Sequence, residues 1–348
     1  MAYTTIKKPS DYFNTKLYTG TGSSNAVTGV GFQPDLLWFK NRNSAINHMW
    51  FDSVRGIDKY LYGNLNEAEG TSSSVLTAIG SDGFTVGAND NVNGNGNGIV
   101  SWNWLAANGT SANTDGSISS TVSANTTSGF SIVSYTGNGT VNSTIGHGLG
   151  ATPKFIIVKN LTTAQAWGTK SDSFVSASDP NVLYLNANSA QADDTNVWGT
   201  SAVFNNNTFT VGDWNGSNQS SSNFIAYCWS EVQGFSKFGS YIGNGNDDGT
   251  FIYTGFKPAW IMIKATGLTE NWWIMDSKRS SFNIVQNLLQ ANSPNAELVG
   301  NVNFKFDMLS NGFKLRDVDG AYNNSGQNYI FMAFASEPLV GDNPATAR

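Results

Sequence analysis

A single cysteine, Cys228, stands in the 348 residues, so no intrachain disulfide can form. Histidine is almost as scarce: His48 and His147 are the only two, in no H-x-x-x-H spacing, which removes the ordinary zinc ligand sets. Charged residues make up 13%, against about 25% in ordinary soluble domains. The formal net charge of −6 contains no basic run, so the clustered Lys and Arg of a nucleic-acid footprint are missing. No apolar run approaches the ~18 residues of a membrane span, and the opening MAYTTIKKPSDYF lacks the apolar centre of a secretory signal. Catalytic signatures are missing too: there is no G-x-S-x-G elbow, no P-loop and no spacing that nominates a carboxylate pair. The expectation is a protein made in a cytoplasm, with no cofactor, no metal, no nucleic-acid partner, no membrane insertion and no enzymatic activity.

Aromatic and small polar residues are what the chain has in quantity. Hydrophobic residues reach 39%, with 11 Trp, 12 Tyr and 21 Phe, while Asn outnumbers even the 37 Gly. That mixture can fill a core, and its polar part favours turns and half-exposed strands over helices.

One unit recurs three times. It opens with an aromatic residue and a Tyr-x-Gly-x-Gly turn, at Phe13 to Gly22, Phe130 to Gly139 and Phe235 to Gly245. A proline then leads an apolar stretch closing on lysine six positions later, from Pro34 to Lys40, Pro153 to Lys159 and Pro258 to Lys264. Asp52-Ser53, Asp172-Ser173 and Asp276-Ser277 follow, and each copy closes on an alternating strand around Trp102, Tyr227 or Met332. The pattern divides the chain into an N-terminal attachment segment 1–10, copies at 11–105, 129–233 and 234–340, and a tail 341–348. Residues 106–128, rich in Ser, Thr, Asn and Gly, read as a linker. Within a copy, short apolar or period-2 stretches bounded by Gly, Asn, Asp and Pro give about seven strands per hundred residues. The fold class predicted is all-β, three tandem β-sandwich-like repeats of about 100 residues. Only Ser280 to Gln290 reads as a candidate helix.

Two groups of residues are candidates for function or architecture. Lys40 with Asp52, Lys159 with Asp172 and Lys264 with Asp276 recur together, which predicts a structural ion pair across neighbouring strands, with a ligand clamp as the alternative. Aromatic rings stack on the apolar faces of sugars while Asn and Asp bind their hydroxyls. Trp214, with Asp213 and Asn215, and the adjacent Trp272 and Trp273 fall outside the repeated apolar pattern, so they are the candidate ligand-binding residues. Asn244 to Gly249 imitates the front of an EF-hand loop, but Gly255 stands where the bidentate Glu is needed. His147 has no counterpart in the other copies and reads as loop filler. Cys228 aligns with Asn103 and Ala333 and reads as a small core residue.

Whole phrases, among them SDYFNTKLYTGTG, VGFQPDLLWFKNR, GFSIVSYTGNGT, IGHGLGATPKFIIVKN and NYIFMAFASEPLV, resemble an uncharacterised repeat family found in virion proteins of marine tailed phages. The resemblance covers nearly the whole chain. That family is commonly labelled tail fibre or phage structural protein, with lectin-like β-sandwich modules. It implies a virion-surface protein assembled after synthesis in the host cytoplasm. Its partners would be other virion proteins, adaptor or capsid, and a host surface glycan or protein bound multivalently, with capsid decoration or a head fibre as the alternative. A homo-oligomer, with a trimer favoured, follows from fibre symmetry.

Overall fold

A computed structural model describes residues 3–174, 180–341 and 344–346. The fold is all-β, built from antiparallel sheets, with helix confined to one 3-10 turn and single turns such as Asp90–Asn93 and Gly320–Asn323. Each copy contributes a main sheet in which the closing strand lies between the first strand and the strand that follows the proline. In the first copy the order is Phe13–Thr19, Gly98–Trp104, Leu36–Asn41, Met49–Asp52, Lys59–Tyr62 and Gly70–Thr71. The third copy repeats it with Ser236–Ile242, Asn328–Pro338, Phe256–Ala265, Trp273–Asp276 and Leu289–Gln290. The second copy places Phe130–Thr136, Asn223–Trp229, Phe155–Asn160, Gly168–Ser171 and Asn181–Tyr184 in the same succession. A smaller outer sheet covers one face of each main sheet: Asn25–Thr28 with Gly83–Val86 and Leu76–Gly80, Ser143–Gly146 with Thr208–Val211, and Phe251–Tyr253 with Gly312–Leu315 and Phe306–Leu309.

The central strands read as unbroken apolar runs because both of their faces are buried. Along Leu36–Asn41 the side chains alternate: Leu37 and Phe39 enter the core beneath the copy's own outer sheet, while Leu36 and Trp38 turn the other way. That second face opens onto a core shared by all three copies, where Trp38, Trp102 and Trp104 meet Ile157, Tyr227 and Trp229 of the second copy and Trp260, Met262 and Phe334 of the third. Ring contacts cross every junction. Trp50 lies 5.2 Å from both Tyr227 and Trp167, Phe155 lies 6.2 Å from Phe238, and Phe13 stacks on Phe334 at 4.9 Å. Three two-sheet units therefore stand around one core instead of following one another as beads.

Two expectations from sequence need correction. Residues 106–128 are not a spacer: Ser111–Asn113 and Ser120–Asn125 extend the second main sheet, the latter pairing along Phe130–Thr136. Val122 and Ser123 are buried, and the Ala106 and Asn108 amides donate to the buried Asp35 carboxylate. Short polar strands at the margin of a sheet resemble a linker in composition, but the alternation Ile118, Ser120, Val122, Ala124 was the signal. Ser280 to Gln290 is not helical either; it runs as irregular chain with isolated bridges, Val285 to Phe306 and Leu288 to Leu298, before the short strand Leu289–Gln290.

Because one face of each main sheet is completed only by the other copies, residues 234–341 expressed alone should fail to fold. Near-UV circular dichroism and thermal melting check this, and a cooperative melt of the isolated copy would contradict the shared core.

Candidate functional site

The thrice-repeated residues meet at the three junctions between copies. Asp52 and Asp276 stand opposite Leu36 and Trp260, at the start of their hairpins. Lys40 and Lys264 lie four residues further along, about 13 Å away at strand rise. The Lys–Asp ion pairs expected for Lys40 with Asp52, Lys159 with Asp172 and Lys264 with Asp276 therefore do not form. Each carboxylate instead takes a nearer cation. Asp52 bonds Arg55 Nε at 2.5 Å and accepts from the Val54 and Arg55 amides, and Asp276 bonds Arg279 Nε at 2.5 Å and accepts from the Lys278 and Arg279 amides. Burial is the largest influence on Arg55 and works against its charge, but Asp52, Tyr227 and Glu69 together outweigh it, raising the arginine above its ordinary value.

These carboxylates also receive a donor from the next copy. Tyr227 Oη donates to Asp52 at 2.8 Å, and Trp102 Nε1 donates to Asp276 at 3.0 Å. The third member of the set, Met332, has nothing to donate. In the second copy Ser171, opposite Phe155, holds the register position of Asp52 and Asp276; Asp172 follows just past the strand, is 32% exposed and pairs with Lys154 at 2.5 Å.

The three lysines act at the other end of the same strands. Lys40 Nζ lies within hydrogen-bonding distance of the carbonyls of Asn41, Ser44, Ile46 and, in the third copy, Pro294. Lys159 Nζ reaches the Gln165 carbonyl and, in the first copy, that of Asn66; Lys264 Nζ reaches those of Ala265 and Leu268. Burial lowers their pKa values, to about 8 for Lys40 and Lys264 and about 7 for Lys159. One indole N–H spans each of two junctions, Trp167 to the Leu65 carbonyl and Trp272 to the Tyr184 carbonyl. His48 takes the corresponding place in the first copy, accepting from Trp38 Nε1 at 2.8 Å, and burial with Lys40 nearby holds it well below the usual histidine range.

A further set went unnoticed in sequence. Asn93, Asn218 and Asn323 are buried and knit the Tyr-x-Gly-x-Gly turns: each side-chain oxygen accepts from the turn, at Thr21, Asn138 and Asn244, while each amide donates back to it. The tyrosines close the same knot, Tyr18 to the Val92 carbonyl, Tyr135 to Ser217 and Tyr241 to Tyr322. The loop 89–98 is thus anchored by Asn93. Only the fixed distance from each of these asparagines to its closing strand could have signalled them.

The candidate ligand-binding residues separate. Trp272 is 1% exposed in the shared core, and Trp273 is buried against Phe304 at 4.7 Å, so neither is available to a ligand. Their adjacency sends one ring to each of two cores. Trp214 is half-buried and packs on Tyr184, with Asp213 and Asn215 exposed beside it. Asp248, in the EF-hand-like stretch, pairs with Lys314 at 2.6 Å. His147 is buried, its Nε2 against the Asn205 carbonyl and its Nδ1 accepting from the Leu149 amide, and Cys228 lies in the second copy's core.

The arrangement defines an all-β protein whose repeated polar residues join sheets to one another. The chain belongs to a family described as a domain of unknown function, DUF7483, whose model matches residues 8–338 and so takes in all three copies together. No curated protein and no solved structure matches it.

Removing one partner of a buried pair typically costs about 3–5 kcal/mol, so Asp276→Ala should lower stability by that order. Asp172→Ala, at a solvated pair, should cost about 1 kcal/mol or less; urea titration of both variants measures the difference. The three lysines have folded pKa values below that of the unfolded chain, 10.5. The unfolded state therefore binds more protons across roughly pH 7 to 10, and stability should rise between pH 7 and 9. His48 and His147, both lowered by burial, should make it fall again below about pH 6.5. Tm measured at constant ionic strength from pH 5 to 9 tests both slopes.

Proposed function

We propose that this protein is a non-catalytic virion component, an adhesive appendage of the tail-fibre or spike kind that binds a host surface glycan or protein. The observation that carries the reading is the division of labour among residues. Those repeated in all three copies are consumed by the turns, the junctions and the shared core, which leaves the outer surfaces free to differ. Common scaffold with variable exterior suits recognition. Asp213, Trp214 and Asn215 form the glycan-contact candidate, since a half-buried indole held by Tyr184 offers a fixed apolar face between two exposed polar side chains.

A second reading, capsid decoration or a head fibre, draws on a different observation. Among the described residues, all but two of the exposed large apolar side chains, Val141 and Val203, lie beyond residue 234, with Phe282, Ile284, Val299 and Val302 on one stretch of the third copy. Such a surface suits contact with another virion protein. The threefold arrangement that fibre attachment calls for is present inside one chain, so sedimentation decides whether a homotrimer is added to it.

The full chain should adsorb to host cells, and Trp214→Ala should weaken adsorption by about five- to tenfold, as expected for loss of a stacking ring worth roughly 1–1.5 kcal/mol. Immunogold labelling of particles checks location. Capsid labelling without adsorption would replace the adhesive reading by decoration.

A further inference from the structure

The outer sheets end on equivalent strands that are treated differently in the second and third copies. In the second, Ser143–Gly146 pairs with Thr208–Val211 on one side only. Its other side is occupied by the chain's own segment: Ile118 bridges Ile145 in parallel, and the Ile118 amide donates to the Thr144 carbonyl at 3.0 Å. Ser117 and Thr144 exchange amide-to-hydroxyl bonds at 2.9 Å each way. This edge takes a short extended segment through a single bridge, and that segment delivers an isoleucine to the core.

In the third copy the corresponding strand is Phe251–Tyr253, with Ile252 opposite Phe313 as Ile145 is opposite Phe209. Hydrogen bonds from Leu315 N–H to the Thr250 carbonyl and from Thr254 N–H to the Asn311 carbonyl show which residues face the inner neighbour. Strand alternation then turns the N–H and C=O groups of Phe251 and Tyr253 outward. Among the described residues no strand pairs with that side; the contact there is Tyr3, whose hydroxyl donates to the Gly255 carbonyl at 2.6 Å and lies beside the Tyr253 hydroxyl. Phe251 and Tyr253 are also 42% and 55% exposed. The first copy's edge presents Ala26 and Thr28 at these places, with no large apolar side chain.

We infer that the edge of Phe251–Tyr253 is a docking site for an extended polypeptide segment from a partner protein, which pairs along it and extends the contact that Ser117 and Ile118 make by a single bridge on the second copy's edge. Main-chain bonds to Phe251 and Tyr253 supply attachment, and the two aromatic rings favour partner residues that are apolar at alternate positions on the solvent face. The inference is independent of whether the protein sits on tail or capsid.

The test titrates isotope-labelled full-length protein with a synthetic peptide of this chain's residues 114–123, which include Ser117 and Ile118, the residues that pair with the second copy's edge. The amides of Phe251 and Tyr253 should shift, and their hydrogen exchange should slow by about tenfold at saturation. Tyr253→Pro removes the outward donor without touching the inner ladder, so it should abolish the effect while leaving the melting curve in place. Phe251→Ser with Tyr253→Ser, which keeps both donors, should weaken binding and not abolish it. Unchanged amides at 250–254, or slowing that survives Tyr253→Pro, would overturn the proposal. A concentration-dependent dimer of the free protein that Tyr253→Pro disperses would also overturn it, assigning the edge to a second copy of this chain.

Discussion

Burial of both faces of the three main sheets is the constraint on which everything else depends. A sheet with one solvated face can close a domain with a single covering layer, whereas these sheets place tryptophan, phenylalanine or isoleucine on each side of the same strand. The outer sheets cover one side, and only the other two copies can cover the second. Eight of the 11 tryptophans lie in that common space. Their size makes the shared core a large share of the apolar surface removed from water, since each such ring buries on the order of 150–250 Å².

Polar groups confined to the junctions are then forced into specific partnerships, because an unpaired buried charge is costly. The carboxylates at Asp52 and Asp276 each gather an arginine, two main-chain amides and a donor from a neighbouring copy. The lysines at the far ends of the strands find main-chain carbonyls in place of carboxylates, which satisfies donors while leaving the ammonium poorly compensated. The outcome is a set of positions that recur in sequence and have their polar groups engaged within the chain.

Much of the architecture was legible in the sequence because strand periodicity is local. The unbroken run from Leu36 to Phe39 announces a strand buried on both sides, and the Tyr-x-Gly-x-Gly motif announces turns whose glycines at 22, 139 and 245 adopt positive φ. The partners across those strands were not legible. Lysine and aspartate recurred 12 or 13 residues apart, yet register placed them at opposite ends of the strand, and register is set by long-range pairing. Trp272 looked exposed for the same reason: the surface that covers it belongs to Tyr184 and Phe155, roughly a hundred residues earlier. Asp213 and Asn215 are exposed, while Trp214 is half-buried and packs against the second copy's core.

The junctions also differ in how completely each is bonded. Where Tyr227 and Trp102 reach a neighbouring carboxylate, Met332 offers only a thioether, and the second copy carries Ser171 at the register position of that carboxylate. In an assembly of three identical chains a substitution at this position would strike every junction at once, and the ring would lose all three bonds or none. With the three units joined in a single polypeptide, one junction can be relaxed while two hold the ring closed. Each unit is then free to acquire surface chemistry that its siblings lack, so covalent linkage turns a symmetric ring into one with distinguishable sides and a defined orientation on whatever it is attached to.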